Sequence, residues 1–415
     1  MNRFMKSLIT LTLVFAFATS GFAGDGELDF SGQIRSRGFA DKTTFAKDAD
    51  FNTYDLLRSR FSVSASKDDN AHAFVQFQDS RRYGAGTQSG SLSSTANVDI
   101  HQAYIKIDNL FGEGWGAQAG RFEFSKGNER VFGAYDWDNV GRSWEGGQFW
   151  YDNDEMNINL YSLKMTEDSS APNQDFDVVG IYATVKSINL DVFVNWDKDA
   201  DSSGFASKDS TALDRKSFGA YYERMYEQFD FTLNYVLQTG SMEDTVDISA
   251  YMLAFEVSYS MEDDRNTRIV FGIDMASGSD TAAAAKNEWN AYDNLYYTGH
   301  KFRGEMDYFL GNTFDGIAGN PGLRDIYLGA STEVTDGWKI GAKFHMFSAA
   351  QDYVDFNGDL TSDVGSEFDI MISTSRVAGV KLDWVISSFS AKDSFVGTTD
   401  HDSGAWAYGT ATIEF

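Results

Sequence analysis

The chain has 415 residues, and its 62 Asp and Glu against 34 Lys and Arg give a formal net charge of −28, which argues against nucleic acid as a partner. It contains no cysteine, so disulfides cannot hold it together, and its 34 Phe, 20 Tyr, 9 Trp and 38 Gly with only 2 Pro favour strands joined by turns. After residue 23, no window reaches the roughly 18 consecutive apolar residues that a membrane-spanning helix requires.

The N-terminus has the three parts of a secretory signal peptide. Arg3 and Lys6 precede an apolar run over residues 8–18, and small residues at 21 and 23 form a cleavage site. The apolar run is too short to cross about 30 Å of hydrocarbon as a helix. We therefore predict a cleaved signal peptide over residues 1–23 and a single domain over residues 24–415.

From residue 27 onwards, apolar and polar residues alternate over segments of about ten residues. The clearest segment is FDFTLNYVLQ at 229–238, in which every second side chain from Phe229 to Leu237 is apolar. We predict strands at 27–40, 53–66, 70–82, 98–109, 116–124, 142–152, 155–165, 176–186, 189–199, 213–226, 228–239, 248–261, 266–278, 322–333, 337–350, 365–377, 380–392 and 404–415. This count is eighteen, and sixteen is the alternative.

A soluble β-sandwich shows the same alternation, so other features must decide between a sandwich and a membrane barrel. The segments have the length of a tilted strand that crosses a bilayer, aromatic residues recur at their ends, and the chain stops on an amphipathic strand at 405–415. A sheet in a bilayer must close on itself, because every backbone polar group must be paired. The predicted fold class is all-β: a transmembrane, antiparallel, up-and-down β-barrel in the outer membrane.

The predicted connections alternate between tight turns and long loops. Short turns belong on the periplasmic side, and long loops lie outside or fold inward. Long connections are predicted at 83–97, 125–141, 166–175, 200–212, 279–321, 351–364 and 393–403. The loop at 125–141 carries Phe132, Tyr135 and Trp137, which would gain little in water, so we expect it to fold inward. A barrel of this size encloses an aqueous channel.

Basic side chains fall on the predicted inward faces, because an arginine facing lipid at mid-bilayer costs about 2–4 kcal/mol. The predicted pore-lining or anion-binding residues are Arg35, Arg37, Arg58, Arg60, Lys106, Arg121, Arg130 and Arg142. One interpretation is that they pair with lumenal carboxylates and fasten the inward loop. The other is that they form a ladder that lowers the barrier for anions. Both can hold at once.

The sequence does not indicate an enzyme. Its five histidines are scattered, and neither an HExxH nor a GxSxG motif is present. We predict no catalytic residues, no bound metal and no cofactor. The acidic loops read as solvated segments, with divalent-cation bridging to lipopolysaccharide as an alternative.

Two segments resemble the alginate-export family of outer-membrane barrels. The first is AGRFEFSKGNERVFGAYDWDNVGRSWEGGQFWY at 119–151, and the second is NLYYTGHKFRGEMDYF at 294–309. The resemblance implies an eighteen-stranded barrel with an arginine-lined constriction that passes anionic polyuronate. The resemblance implies a role for the arginines at basic positions that match the family, Arg58, Arg60, Arg121, Arg130 and Arg142, and for His300, Lys301 and Arg303 in the second motif.

Three functions follow as hypotheses. The first is a passive channel for hydrophilic, anionic solutes or oligosaccharides, and the second is a dedicated exporter of an anionic polysaccharide of alginate type. The third is a structural or adhesive barrel with a plugged lumen. The expected partners are outer-membrane lipid, lipopolysaccharide and a small anionic solute or oligosaccharide, and the sequence does not predict an oligomeric state.

Overall fold

A computed structural model describes residues 26–84, 98–166, 176–199, 212–242, 245–279, 286–311 and 320–415. Nearly all regular structure in these ranges is β-strand. The strands are β1 (Gly26–Lys42), β2 (Asn52–Lys67), β3 (Ala71–Arg82), β4 (Val98–Ile107), β5 (Trp115–Phe122), β6 (Trp144–Asp152), β7 (Met156–Thr166), β8 (Phe176–Val185), β9 (Leu190–Asp199), β10 (Leu213–Tyr226), β11 (Phe229–Met242), β12 (Val246–Ser260), β13 (Arg268–Ala276), β14 (Glu288–Trp289), β15 (Leu323–Thr335), β16 (Trp338–Val354), β17 (Leu360–Thr374), β18 (Lys381–Ala391) and β19 (Gly404–Glu414).

The strands form one closed sheet. Each wall strand pairs antiparallel with the next, and β19 pairs antiparallel with β1 from Gln33↔Glu414 to Lys42↔Ala405. The two-residue strand β14 lies in a loop and pairs parallel with β12, so eighteen of the nineteen strands build the wall. The predicted eighteen-stranded antiparallel barrel is confirmed. Closure leaves no unpaired edge, which a sheet in lipid requires.

The two faces of each strand differ as the alternation predicts. On β9, Val192 and Val194 are each 43% exposed on the outer face, while Asn195 and Asp197 on the inner face are fully buried. The exposed apolar side chains therefore belong to the surface that lipid covers. Among the described residues, no helix is long and apolar enough to cross a bilayer. The predicted signal peptide, residues 1–23, lies outside the described ranges.

One predicted outer loop is wrong. The segment 351–364 is mostly strand, because β16 continues to Val354 and β17 begins at Leu360, with Val354 opposite Leu360. The hairpin turns at Asp355, whose carboxylate accepts the N–H groups of Asn357 and Asp359. Gly358 has a φ of 88°, a conformation that glycine adopts without strain. A polar hairpin that rises above the bilayer has no apolar alternation, so the sequence pattern hid it.

Two loops fold into the barrel. The first inward loop comprises residues 123–143 between β5 and β6, and the second comprises the described residues 286–311 between β13 and β15. An aromatic cluster fixes the first loop: Phe132 packs 5.3 Å from Phe124 and 5.6 Å from Tyr296 of the second loop, between ring centroids. Each buried Phe contributes roughly 1.5–3 kcal/mol. The predicted inward fold of 125–141 is confirmed.

Candidate functional site

The two inward loops join across the lumen. Backbone hydrogen bonds run from the N–H of Gly133 to the carbonyl of Tyr296 at 2.9 Å and from the N–H of Tyr296 to the carbonyl of Val131 at 3.0 Å. Arg142 strengthens this junction, because its guanidinium donates to the carbonyls of Gly133 and Tyr296. The predicted site residue Arg142 therefore clamps one loop to the other.

Four arginines form a basic wall on the inner faces of β1 and β2. They are Arg35, Arg37, Arg58 and Arg60, and each is less than a tenth exposed. Arg35 and Arg58 are direct cross-strand partners. Like charges at this spacing repel each other, so the wall requires acceptors from another part of the chain.

The first inward loop supplies those acceptors. The Asp136 carboxylate lies 2.9 Å from Nη2 of Arg58 and 2.8 Å from Nη1 of Arg60. The carbonyl oxygens of Asp136 and Asp138 accept hydrogen bonds from Arg35 at 2.7 and 2.8 Å. Burial opposes ionisation of Asp136, but Arg58 and the other arginines prevail and hold its pKa below the usual range. Three wall arginines thus anchor the loop.

Arg37 differs from the other three. Its Nε donates to the Thr410 hydroxyl at 3.0 Å and its Nη1 to the carbonyl of Trp137 at 2.9 Å. Within the described ranges, no carboxylate lies within ion-pair distance of it. Its guanidinium stacks 3.6 Å from the centroid of the Trp137 ring. Arg37 is therefore the basic-wall cation whose charge is least neutralised.

His300 of the second loop forms a three-layer stack with Trp137 and Arg37. Its ring lies 3.5 Å from that of Trp137 at an interplanar angle of 4°. The carboxylates of Asp307 and Glu305 lie 2.9 and 3.1 Å from its two ring nitrogens. Although burial lowers the pKa of His300, these two hydrogen-bonded carboxylates outweigh burial and raise it to about 9. The imidazolium therefore stays charged at neutral pH.

Two cavities meet at this stack. One, of about 760 Å³, extends towards the end of the barrel that carries the short turns, and the other, of about 550 Å³, extends towards the long-loop end. Arg37 and Trp137 are the two residues that line both. We call this boundary between the two cavities the waist.

Basic side chains outnumber acidic ones in the larger cavity. Its lining includes eight Arg or Lys residues, namely Arg35, Arg37, Arg58, Arg268, Lys301, Lys339, Lys343 and Lys381. It also includes five Asp or Glu residues, namely Asp136, Glu256, Glu305, Asp383 and Glu414. This local excess of positive charge stands against the negative charge of the whole chain.

An acidic wall lies on β13, β15 and β17, further round the barrel from the basic wall. Its carboxylates are Asp274 on β13, Asp325 on β15, and Glu367 and Asp369 on β17, all at most 2% exposed. Asp274 binds the predicted site residues Arg130 of the first loop and Arg303 of the second, the latter at 3.1 Å. Arg130 and Arg303 therefore act as loop anchors.

Glu367 holds the backbone of the second loop. One carboxylate oxygen accepts the N–H groups of Glu305 at 2.7 Å and Met306 at 2.9 Å. Gly304 makes this approach feasible: its φ is +87°, and a Cβ there would lie 2.5 Å from a Glu367 oxygen. Lys301, which also belongs to the second motif, binds Glu129 of the first loop at 2.7 Å.

Two predicted site residues lie elsewhere. Arg121 was expected in the lumen, but it faces outward and pairs with Glu145 at 3.1 Å. Its neighbour Phe122 is fully buried in the aromatic cluster and takes the inward position, so alternation turns Arg121 outward. Lys106 lies beside Asp108 at 2.7 Å, at the short-turn end of β4, and lines neither of the two cavities that meet at the waist.

Sequence reasoning missed the acidic wall and the role of Asp136. Alternation places Asp274 and Glu367 on inner faces, but it does not reveal their partners. Asp136 and Trp137 stand within the first family-like segment, so the motif was the signal that could have found them.

The comparisons with known proteins agree with this architecture. The sequence matches the family described as alginate export over residues 27–392. No curated protein matches it significantly. Solved structures similar in fold include OccAB4 of Acinetobacter baumannii, with a TM-score of 0.58, 11% identity and coverage of 94% of this chain and 98% of that one. OccK11 (OpdR) of Pseudomonas aeruginosa has a TM-score of 0.57 and 9% identity, with coverage of 94% of this chain and 96% of that one. OpdK of Pseudomonas aeruginosa with vanillate has a TM-score of 0.56 and 9% identity, with coverage of 93% of this chain and 98% of that one.

The family match covers most of the chain, and the structural similarity establishes the barrel fold independently of sequence identity. A transport family and an outer-membrane barrel point to a channel rather than an enzyme. The chain belongs to the alginate-export family and is an outer-membrane channel protein.

Proposed function

We propose that the protein is a passive channel that favours small hydrophilic anions and selects them at the waist. The single observation that carries this proposal is the position of Arg37. Its buried guanidinium borders both cavities, and no carboxylate among the described residues pairs with it. A guanidinium held in this way attracts carboxylate or phosphate groups and repels cations.

The surroundings of Arg37 support the same direction of selectivity. The excess of basic residues in the larger cavity concentrates anions on one side of the waist. The stack with Trp137 fixes the Arg37 guanidinium at the border of the two cavities, where it can meet an anionic group. OpdK, which shares the fold, has been crystallised with vanillate, an aromatic carboxylate.

The test is the ion selectivity of the purified channel in planar lipid bilayers. We expect the wild type to prefer chloride over potassium, and Arg37→Gln to lower that preference by up to about fivefold, because one unit charge at 4 Å in water corresponds to about 1 kcal/mol. Arg37→Lys should retain much of the preference. Lys106→Gln is the matched control, since Lys106 lies at the short-turn end and has Asp108 beside it. A cation-selective wild type, or an Arg37→Gln channel with unchanged selectivity, would refute the proposal.

The second candidate is export of an anionic polysaccharide, which the family description favours. A polymer would thread the same waist and contact Arg37 with successive anionic groups. Deletion of the gene should then reduce extracellular polysaccharide, and the Arg37→Gln allele should fail to restore it. Unchanged polysaccharide after deletion would exclude this function and leave the passive channel standing.

The third candidate is a plugged, structural or adhesive barrel. The extensive packing of both inward loops favours it. Single-channel conductance in bilayers distinguishes it directly from the other two, because a plugged barrel conducts no ions. Any reproducible conductance step from the purified protein removes this candidate.

A further inference from the structure

A belt of alternating charges runs around the outer surface at the long-loop end of six consecutive strands. Direct register partners link Arg121 to Glu145, Glu145 to Lys164 and Lys164 to Asp177, then Asp177 to Lys198 and Lys198 to Asp214. We call these six residues of β5–β10 the rim ladder. The sign of the charge reverses at each strand.

Two neighbouring pairs of the rim ladder form ion pairs. Arg121 binds Glu145 at 3.1 Å, and Lys164 binds Asp177 at 2.8 Å. The side chains remain open to the surroundings: Glu145 is 67% exposed, Asp177 41% and Arg121 37%. They face away from the lumen, because the inner neighbours Phe122, Trp144 and Leu163 are buried.

The position of the ladder relates it to the membrane surface. Every member lies within two residues of the strand end that leads into a long connection. Immediately below it on the same outer face are apolar side chains, including Leu160 and Val194, and Trp196 lies at the boundary. Trp at such a level marks the interface between hydrocarbon and headgroups. The ladder therefore stands at the height of the outer-leaflet headgroups.

The opposite side of the barrel lacks such a belt. Around the closing seam, the outward register partners at the same end include Ser388 opposite Ala405 and Ala40 opposite Ala407, and Lys42, also opposite Ala405, pairs with Asp402 at 3.2 Å. Across the closing seam, opposite charges therefore do not alternate from strand to strand as they do in the rim ladder.

We propose that the rim ladder is a binding surface for lipopolysaccharide. Arg121, Lys164 and Lys198 stand on alternate strands, roughly 10 Å apart, and contact its phosphate groups. The intervening carboxylates share the divalent cations that bridge neighbouring phosphates. The headgroup layer contains both phosphates and divalent cations. A surface that carries both positive and negative charges complements this layer better than a purely basic patch would.

The test uses the full mature chain refolded in lipopolysaccharide-free dodecyl maltoside and titrated with rough lipopolysaccharide in the presence of calcium. The variant is Arg121→Ala/Lys164→Ala/Lys198→Ala. The control is Lys186→Ala/Arg224→Ala/Arg265→Ala, which removes three exposed cations at or near short turns. We expect the ladder variant to lose affinity on the order of tenfold or more and the control to retain it. Heat-modifiable migration in gels verifies that each variant is folded.

A second variant examines the carboxylates. Glu145→Gln/Asp177→Asn/Asp214→Asn should bind lipopolysaccharide with little dependence on calcium, whereas the wild type should lose affinity when calcium is chelated. Unchanged affinity in the cation variant, or an equal loss in the control, would overturn the proposal. So would a change of oligomeric state with unchanged affinity, because the ladder would then join copies of this chain. Ion selectivity should be unaffected, so this outcome is independent of the test of Arg37.

Discussion

The basic and acidic walls hold the same two loops with opposite distributions of charge. On β1 and β2 the wall supplies arginines, and the loop supplies the Asp136 carboxylate and backbone carbonyls. On β13 and β17 the wall supplies carboxylates, and the loops supply Arg130, Arg303 and backbone N–H groups. The two loops are therefore bound to two walls of opposite charge. The loop cations that bind the acidic wall would be repelled by the basic wall, and the loop carboxylate that binds the basic wall would be repelled by the acidic wall.

This difference determines which basic side chain at the waist keeps a charge that no described carboxylate neutralises. At the acidic wall, Asp274 takes two arginines, so the loop cations there are neutralised. At the basic wall, one carboxylate serves Arg35, Arg58 and Arg60, and Arg37 is left to carbonyl, hydroxyl and aromatic contacts. Buried ion pairs contribute little net stability, but removal of one partner is costly, so such pairs fix position more than they strengthen the fold. The positive charge at the waist therefore results from the excess of arginines over carboxylates at the basic wall.

The largest effect is expected at the acidic wall. Asp274→Ala removes the carboxylate shared by Arg130 and Arg303 and should lower the free energy of unfolding by about 3–5 kcal/mol, because two buried cations lose their common partner. Urea unfolding of the protein refolded in detergent micelles measures this change. Glu129→Ala is the control, since its partner Lys301 is 51% exposed and such a pair contributes about 0–1 kcal/mol. Equal losses in both variants would mean that the acidic wall does not anchor the loops.

The dependence of stability on pH tests the contribution of His300, which lies at the junction of the two inward loops and not on either wall. The pKa of His300 rises from an ordinary 6.5 to about 9 in the folded protein. A raised pKa means that its contribution to stability is complete below pH 6.5 and is lost as the pH rises through about 9, with a total of roughly 3 kcal/mol. The free energy of unfolding should therefore fall across this range in the wild type more than in His300→Gln. The same slope in both proteins would contradict this assignment.

At the basic wall, the expected effect is on selectivity. Asp136→Asn retains the carbonyl contacts of the loop but removes the charge that offsets three arginines. The preference for anions should increase by up to about fivefold, as estimated from one unit charge near the waist. Reversal potentials in a salt gradient provide the measurement, and Asp154→Asn in an exposed turn is the control. A shift towards cations would show that Asp136 is not the neutralising group.

The smallest effect is expected outside the lumen. Arg121→Ala should leave the ion selectivity unchanged and alter stability by at most about 1 kcal/mol, because its ion pair with Glu145 is exposed on the outer face. Paired measurements with Arg37→Gln in the same bilayers make the comparison direct. A change of selectivity in Arg121→Ala as large as that in Arg37→Gln would place Arg121 in the conduction path after all.

Much of the barrel could be predicted from local pattern. Alternation with a period of two, as in 229–238, separates lipid-facing from lumenal side chains because a strand presents successive residues to opposite faces. The eighteen strands followed from that rule, and the inward fold of the loop at 125–141 followed from its aromatic residues, which would gain little in water. The rule failed in two places. Arg121 was assigned to the lumen because a charge facing lipid at mid-bilayer is costly, but it lies at the end of β5, beyond the apolar part of the outer face, and the hairpin at 351–364 carries no lipid-facing stripe.

The sequence by itself determined that this chain closes into a membrane barrel with arginines on inner faces, because faces depend on neighbours two residues apart. Only the tertiary structure decided which arginine is bound and which is left at the waist, because Arg58 meets Asp136 across 78 residues and Arg130 meets Asp274 across 144. Pairings at such separations depend on how two loops fill a closed cylinder, and no local period encodes them. The rim ladder likewise appears only when six strands are placed in register.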